Sequence, residues 1–455
     1  MLSACANLAP ISGTKLAPLD VEELPPAFLA RPKTASQLAL TNAISTVLPW
    51  LNSFESDLLN QHVETAINNN YALAQQASIV KIAEESVALS SAGLLPTLNI
   101  ALNSQQSGSG VTKTSQYGLS LSATYEVDLW GKLSISQKRA RIELGSQRAK
   151  YRDSEQRLVA NVVNASFDSI SASQLLAVLR KRLENITTSL DVIQKGYRSG
   201  INSALDVYLS RNTLELVKAE IANQRQVQFE ARTRLALLLG EYPDGTLTTN
   251  SDPINLPLKT TDIGIPAGIL GRRPDIEAAW LNLLVADAGL AIAHRNRFPS
   301  INLSASVSDS KTEFDQLLDG GSLAWTAVTS LVQPLFQGGR LAALENQAKI
   351  LLDQREKRYL EVVFRAFAEV ENELNREQTL KQRYEAFVQA EENATAALDL
   401  AVDQYQRGIV SYTTVLESQR RAFDAQTTLI QLQNQHRLLI QGREIRILKR
   451  LSIDY

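Results

Sequence analysis

The chain has 455 residues, 44% hydrophobic but only 6% aromatic, a balance that leans to long helices rather than a compact α/β enzyme. A formal net charge of −2 supplies no basic surface of the kind nucleic acid requires. No run of 18 apolar residues is present, so a membrane role has to come from strands.

The single cysteine, Cys5, excludes an intrachain disulfide and a cysteine-based metal site. Its setting, Leu2-Ser3-Ala4-Cys5, resembles the lipobox of bacterial lipoproteins, which implies a covalent lipid on Cys5; no cofactor is assigned. A free thiol near the terminus is the alternative. Only four residues precede it, too few for the basic and apolar segments of an export signal, so the start is expected to be truncated. Five prolines between positions 10 and 32 make residues 1–44 an extended segment.

Beyond it the chain repeats itself. Tyr197-Arg198-Ser199-Gly200-Ile201-Asn202-Ser203 recurs 208 residues later as Tyr405-Gln406-Arg407-Gly408-Ile409-Val410-Ser411. Leu95-Pro96-Thr97-Leu98-Asn99-Ile100 recurs as Phe298-Pro299-Ser300-Ile301-Asn302-Leu303. Landmarks in one order at nearly one offset mark a tandem duplication. The first repeat runs over 45–242 and the second over 274–450, with the proline-rich 243–273 as connector.

Each repeat changes period in the same order. A helical pattern from about Asn70 to Leu94 stops before Pro96. Leu98, Ile100 and Leu102 then alternate with Asn99, Ala101 and Asn103, and after Gly108-Ser109-Gly110 the alternation resumes from Tyr117 to Asp128. The second repeat does likewise with Ile301, Leu303, Ala305 and Val307, then Leu323, Trp325 and Ala327. Strands are predicted at about 97–107, 116–128, 300–308 and 323–333. One apolar and one small polar face suits a transmembrane barrel strand, although soluble hairpins also alternate. Four strands cannot close a barrel alone, and open edges are not tolerated in lipid, so strands that cross a membrane have to be shared among several chains.

Long helices follow. Leu176, Leu179, Leu183, Ile186, Leu190 and Ile193 step by three and four, as do Leu360, Val363, Phe367, Val370 and Leu374. A helix of roughly 62 residues over 134–195 spans about 93 Å. Helices over 70–94 and 204–240, and over 274–297 and 412–448, match that length when stacked end to end. Gly200 and Gly408 fall just past the long helices, where a C-terminal glycine is expected. Ser203 and Ser411, three residues on, are placed to cap the next helix. His62, His294 and His436 are far apart without ligand-spaced partners, and no nucleophile–base pair stands out, so neither a catalytic residue nor a metal site is assigned.

Tyr125-Glu126-Val127-Asp128-Leu129-Trp130-Gly131-Lys132, Gly271-Arg272-Arg273-Pro274-Asp275-Ile276-Glu277-Ala278-Ala279, Phe336-Gln337-Gly338-Gly339-Arg340 and the two Tyr-x-x-Gly turns together carry a family likeness. Over about 45–450 the chain resembles the TolC-type outer-membrane efflux proteins, and within them the NodT-like lipoprotein branch that works with resistance–nodulation–division pumps. The resemblance implies a mainly α protein with membrane β: a tandem-duplicated coiled-coil tunnel plus four strands per chain in a shared trimeric twelve-stranded barrel. It implies a homotrimer anchored by lipid in the outer membrane, a periplasmic adaptor, and an inner-membrane resistance–nodulation–division transporter. The duct would conduct small molecules passively, without enzymatic chemistry. A type I protein-secretion duct and a non-conducting periplasmic coiled-coil protein are the alternatives.

By the same resemblance, the Gly200, Ser203, Gly408 and Ser411 turns dock against the adaptor. Thr413, Leu416, Glu417 and Arg420, directly after the second turn, would form rings near a trimer axis, where carboxylates favour cations. Asp206 and Arg211 are taken as their first-repeat counterparts. The plainer reading of Glu417 and Arg420 is a surface ion pair on one helical face.

Overall fold

The computed structural model describes residues 56–247, 273–317, 319 and 323–443. Cys5 with the whole of 1–44, and 248–272 of the connector, lie outside the described residues. Two compact units emerge. One gathers Ala77–Tyr151 and Pro274–Val363; the described part of the other comprises 56–76, 152–247, Arg273 and 364–443.

The first repeat opens with α1 (Asp57–Asn69) and α2 (Tyr71–Ala92), where a single helix from about Asn70 was expected. The additional helix is capped by Ser56, whose hydroxyl accepts the Leu59 N–H at 3.3 Å, and it buries Leu59, Val63 and Ala66 at helical spacing. Asn70 makes the break. Its backbone is extended, its Oδ1 accepts the Leu73 N–H at 3.0 Å, and its amide donates to the Leu238 carbonyl at 3.0 Å. An asparagine that offers the backbone a side-chain partner competes with continuation of the helix.

Strands β1 (Thr97–Ser109) and β2 (Thr112–Val127) follow, then α3 (Lys132–Arg198) and α4 (Ala204–Leu239). The second repeat supplies α5 (Pro274–Arg295), β3 (Ser300–Lys311), β4 (Ala324–Val332), α6 (Arg340–Gln406) and α7 (Tyr412–Arg443). The long helices α3 and α6 have 67 residues each, a little more than the sequence pattern marks out. Windows within α3 and α5 are apolar enough to cross a membrane by length and composition, contrary to the expectation of none. Those windows are 61% and 50% buried within the protein itself, the mark of packing surface.

The strands form one antiparallel sheet in the order β1-β2-β3-β4, so the hairpins of the two repeats join through β2 and β3. The register is unbroken. Ile100 stands beside Leu121, Leu121 beside Val307, and Val307 beside Trp325, an apolar rung across all four strands. The first turn is tighter than predicted, with β1 running through Ser109 and only Gly110 and Val111 outside the strands.

Each unit has its own apolar clusters. In the strand-bearing unit Ile142, Leu283, Leu284, Ala286 and Leu352 pack together, with Trp280 against Tyr359 at 5.5 Å between ring centres. In the other, Leu176, Leu179 and Ile186 of the expected seam meet Val217 and Ile221 of α4. The α6 seam is shifted: Val363, Ala366, Val370 and Leu374 are buried, while Phe367 is only half-buried. Between Val363 and Val370 the steps are three then four through Ala366 and four then three through Phe367, so either fits a heptad seam, and the small residue takes the close approach.

Candidate functional site

The long helices end in the same backbone motif. After α3, the Gly200 N–H bonds the Tyr197 carbonyl at 3.0 Å and the Ile201 N–H bonds the Gly196 carbonyl at 2.8 Å. After α6, Gly408 bonds Tyr405 at 2.9 Å and Ile409 bonds Gln404 at 2.9 Å. The paired bonds satisfy carbonyls that a helix end leaves open, and they require a left-handed residue. Gly200 and Gly408 provide it at φ 74° and 75°. The isoleucines that follow remain exposed.

The next helices start differently. At α4 the Ser203 hydroxyl accepts the Asp206 N–H at 3.2 Å while the Asp206 carboxylate accepts the Ser203 N–H at 3.0 Å, a reciprocal capping box. Ser411 does not repeat it. Its hydroxyl lies 2.6 Å from that of Thr413 and 3.4 Å from that of Thr414, while the Thr414 N–H bonds the Ser411 backbone carbonyl at 3.1 Å. The residue three positions on is a threonine, so the reciprocal carboxylate of Asp206 is missing.

Tyrosines tie the two turns together. The Tyr405 hydroxyl donates to Asn202 Oδ1 at 3.2 Å, the Tyr412 hydroxyl to Ser210 Oγ at 3.3 Å, and the two rings lie 5.5 Å apart. Burial pushes both phenols above their ordinary pKa, so both stay protonated donors. Ile193, Val207, Ala401 and Val415 pack with Tyr412 in an apolar cluster, and Tyr405 lies against it. Asn202 also donates to the Ile193 carbonyl at 3.3 Å, and it fills the space beside Gly196, where a Cβ would come within 2.7 Å of its amide nitrogen. Sequence reasoning missed this set because the repeat is unequal there: Asn202 corresponds to Val410, and Gly196 to Gln404.

The charged residues after the second turn form a chain of ion pairs. Glu417 takes Arg420 in a two-pronged contact at 2.8 and 3.1 Å and Arg421 at 2.9 Å, and Arg420 continues to Asp424 at 3.3 Å. The hydrogen bonds from Arg420 and Arg421 hold the Glu417 carboxyl down at about 2. Arg421 and Asp424 were not singled out, though the i,i+4 spacings Glu417–Arg421 and Arg420–Asp424 announce them. Leu416 is partly buried against the apolar cluster around Tyr412, whereas Thr413 is exposed.

Asp206 and Arg211 do not mirror this chain. The 208-residue offset carries Asp206 to Thr414 and Arg211 to Gln419, and Asp206 is engaged by the capping box. Glu417 itself corresponds to Leu209, so the charge cluster belongs to one repeat alone. Among the histidines, His62 is buried beside the Ser166 hydroxyl at 3.3 Å, with burial lowering its pKa, and His294 Nδ1 lies 2.8 Å from Glu345.

The chain as a whole has relatives among known proteins. A family model described as outer membrane efflux protein matches residues 62–241 and 266–438. The toluene efflux pump outer membrane protein TtgF of Pseudomonas putida is 30% identical over 413 residues, covering 89% of this chain and 85% of that protein. The probable outer membrane lipoprotein SilC of Salmonella typhimurium is 28% identical over 443 residues, covering 95% and 93%. The crystal structure of the Campylobacter jejuni CmeC outer membrane channel superposes with a TM-score of 0.84 at 20% identity, covering 92% of each chain, a likeness of fold.

Proposed function

Since the chain belongs to the outer membrane efflux protein family, we propose that it is the outer-membrane channel subunit of a tripartite efflux pump, passing small molecules from the periplasm to the exterior. The observation that carries this is the sheet. One face is apolar and exposed along Ile100, Leu121, Val307 and Trp325, with Ile100 74% and Trp325 78% accessible and its charged residues Lys113, Asp309 and Lys311 towards the β1–β2 turn; the other is small and polar, and among the described residues β1 and β4 have open edges. In lipid such edges have to be paired, and further copies of the chain supply the missing strands. Three copies make twelve strands.

A periplasmic adaptor docks on the turns at Gly200 and Gly408, and a resistance–nodulation–division transporter supplies the cargo. The similarity to TtgF, named for toluene efflux, supports small apolar cargo, and the similarity to SilC, named a lipoprotein, supports a lipid on Cys5. Purified full-length protein reconstituted in planar bilayers is expected to give discrete conductance steps. A protein that enters the bilayer without conducting would remove the channel reading.

Glu417 and its arginines stand at the periplasmic gate in this reading. With its carboxyl held at about 2, Glu417 stays ionised, so its contribution to conductance is flat from pH 7 to pH 4. The depressed pKa works in one direction: the stabilisation is fully present above the ordinary glutamate range and is lost progressively as pH falls from that range towards 2. In an Arg420→Ala/Arg421→Ala variant the titration is expected to rise towards the ordinary value of about 4.3, making conductance change between roughly pH 5 and 4. Superimposable conductance–pH curves for the two proteins would take Glu417 away from the pore.

A further inference from the structure

The polar face of the sheet carries one charge. With an unbroken register, successive residues alternate between faces, so a side chain's face follows from its position. Glu126 shares its face with Thr124, Ser122 and Ser120 along β2. Across β3 and β4 its ladder neighbours are Asn302 and Ser330. The remaining rungs of that face are serine, threonine, asparagine, glutamine, glycine, alanine and valine. Lys113, Asp309 and Lys311 fall on the opposite face. Among the strand residues, Glu126 is the only ionisable group on the polar face.

Glu126 is not left alone. Lys132, the first residue of α3, pairs with its carboxylate, and both side chains are about two-thirds buried at 29% and 32% accessibility. The neighbouring acid, Asp128, is occupied elsewhere: its oxygens accept the Leu133 and Ser134 N–H groups, each at 2.8 Å, so its charge serves the positive N-terminus of α3. The junction between strand and helix thus assigns each carboxylate its own counter-charge.

We propose that Lys132 is a specificity-determining residue: by pairing with Glu126 it keeps the polar wall of the sheet free of net charge, so that the pore section lined by it passes anionic and cationic solutes alike. This rests on the channel reading, in which the polar face lines the lumen. Acidic rings in a pore select cations. Removing the lysine in every subunit exposes such a ring at Glu126; removing the glutamate exposes a basic one.

The test measures reversal potentials across planar bilayers under a potassium chloride gradient, with full-length protein. Lys132→Gln is expected to raise the cation-over-anion permeability ratio severalfold, Glu126→Gln to lower it, and the double variant to return it to the wild-type value. Lys132→Arg, which keeps the charge, should leave the ratio unchanged. Should Lys132→Gln fail to insert, Glu126→Gln reads the same balance with opposite sign. A conducting wild type whose ratio is unmoved by either single variant overturns this proposal alone. A wild type that inserts without conducting overturns the channel reading with it.

Discussion

Gly240→Ala is expected to lower stability by about 2–4 kcal/mol, whereas Gly408→Ala costs only about 1 kcal/mol. The two glycines have the same backbone, φ 75°, so the intrinsic strain of a left-handed alanine is common to both. Their surroundings differ. A Cβ at Gly408 meets nothing within 4 Å, but one at Gly240 would stand 2.5 Å from the Asn69 carbonyl oxygen. That oxygen belongs to the end of α1, next to the Asn70 break whose amide bonds Leu238, so it cannot retreat without disturbing both contacts. Chemical denaturation of the two variants against wild type measures the difference. Equal losses would show that the α1–α4 junction relaxes freely around the added methyl.

In the proposed assembly, Gly200→Val together with Gly408→Val is expected to abolish crosslinking to the periplasmic adaptor while trimers still form. A β-branched residue is a strong outlier at positive φ, so both turns have to change conformation to accept it. Among the described residues a Cβ at either glycine meets no atom within 4 Å, which confines the damage to the turns themselves. The apolar cluster of Ile193, Val207, Ala401, Tyr412 and Val415 lies behind them and is not cut into. Trimer content by native electrophoresis separates a docking defect from an assembly defect. Undiminished crosslinking in an assembled trimer would show that the adaptor does not read these turns.

The candidate site was legible where its signal is local. Gly200, Gly408 and Ser203 could be placed because a helix end needs a left-handed residue and the next helix needs a capping oxygen, and both needs act over a few neighbouring positions. Ser411 misled for the same reason: its identity matched Ser203, but Thr414 in place of Asp206 removed the reciprocal half of the cap. Asp206 and Arg211 are the expected first-repeat counterparts of the proposed gate, whereas the repeat offset pairs them with Thr414 and Gln419. The tyrosine ties were out of reach, since Tyr405 and Asn202 are 203 residues apart and only the second repeat's tyrosine has such a partner.

By itself the sequence determined the duplicated plan, the two-faced strands, the long helices and the glycines that end them. Periodicity and backbone conformation depend on near neighbours, so they survive without knowledge of the fold. Only the tertiary structure decided that β2 pairs with β3 and merges the hairpins of the two repeats into one sheet. It alone chose Ala366 over Phe367 for the seam and brought the end of α1 against Gly240. Each of these depends on which surfaces meet, and contact between distant segments is selected by packing and by the hydrogen bonds it satisfies, not by the spacing of residues along the chain.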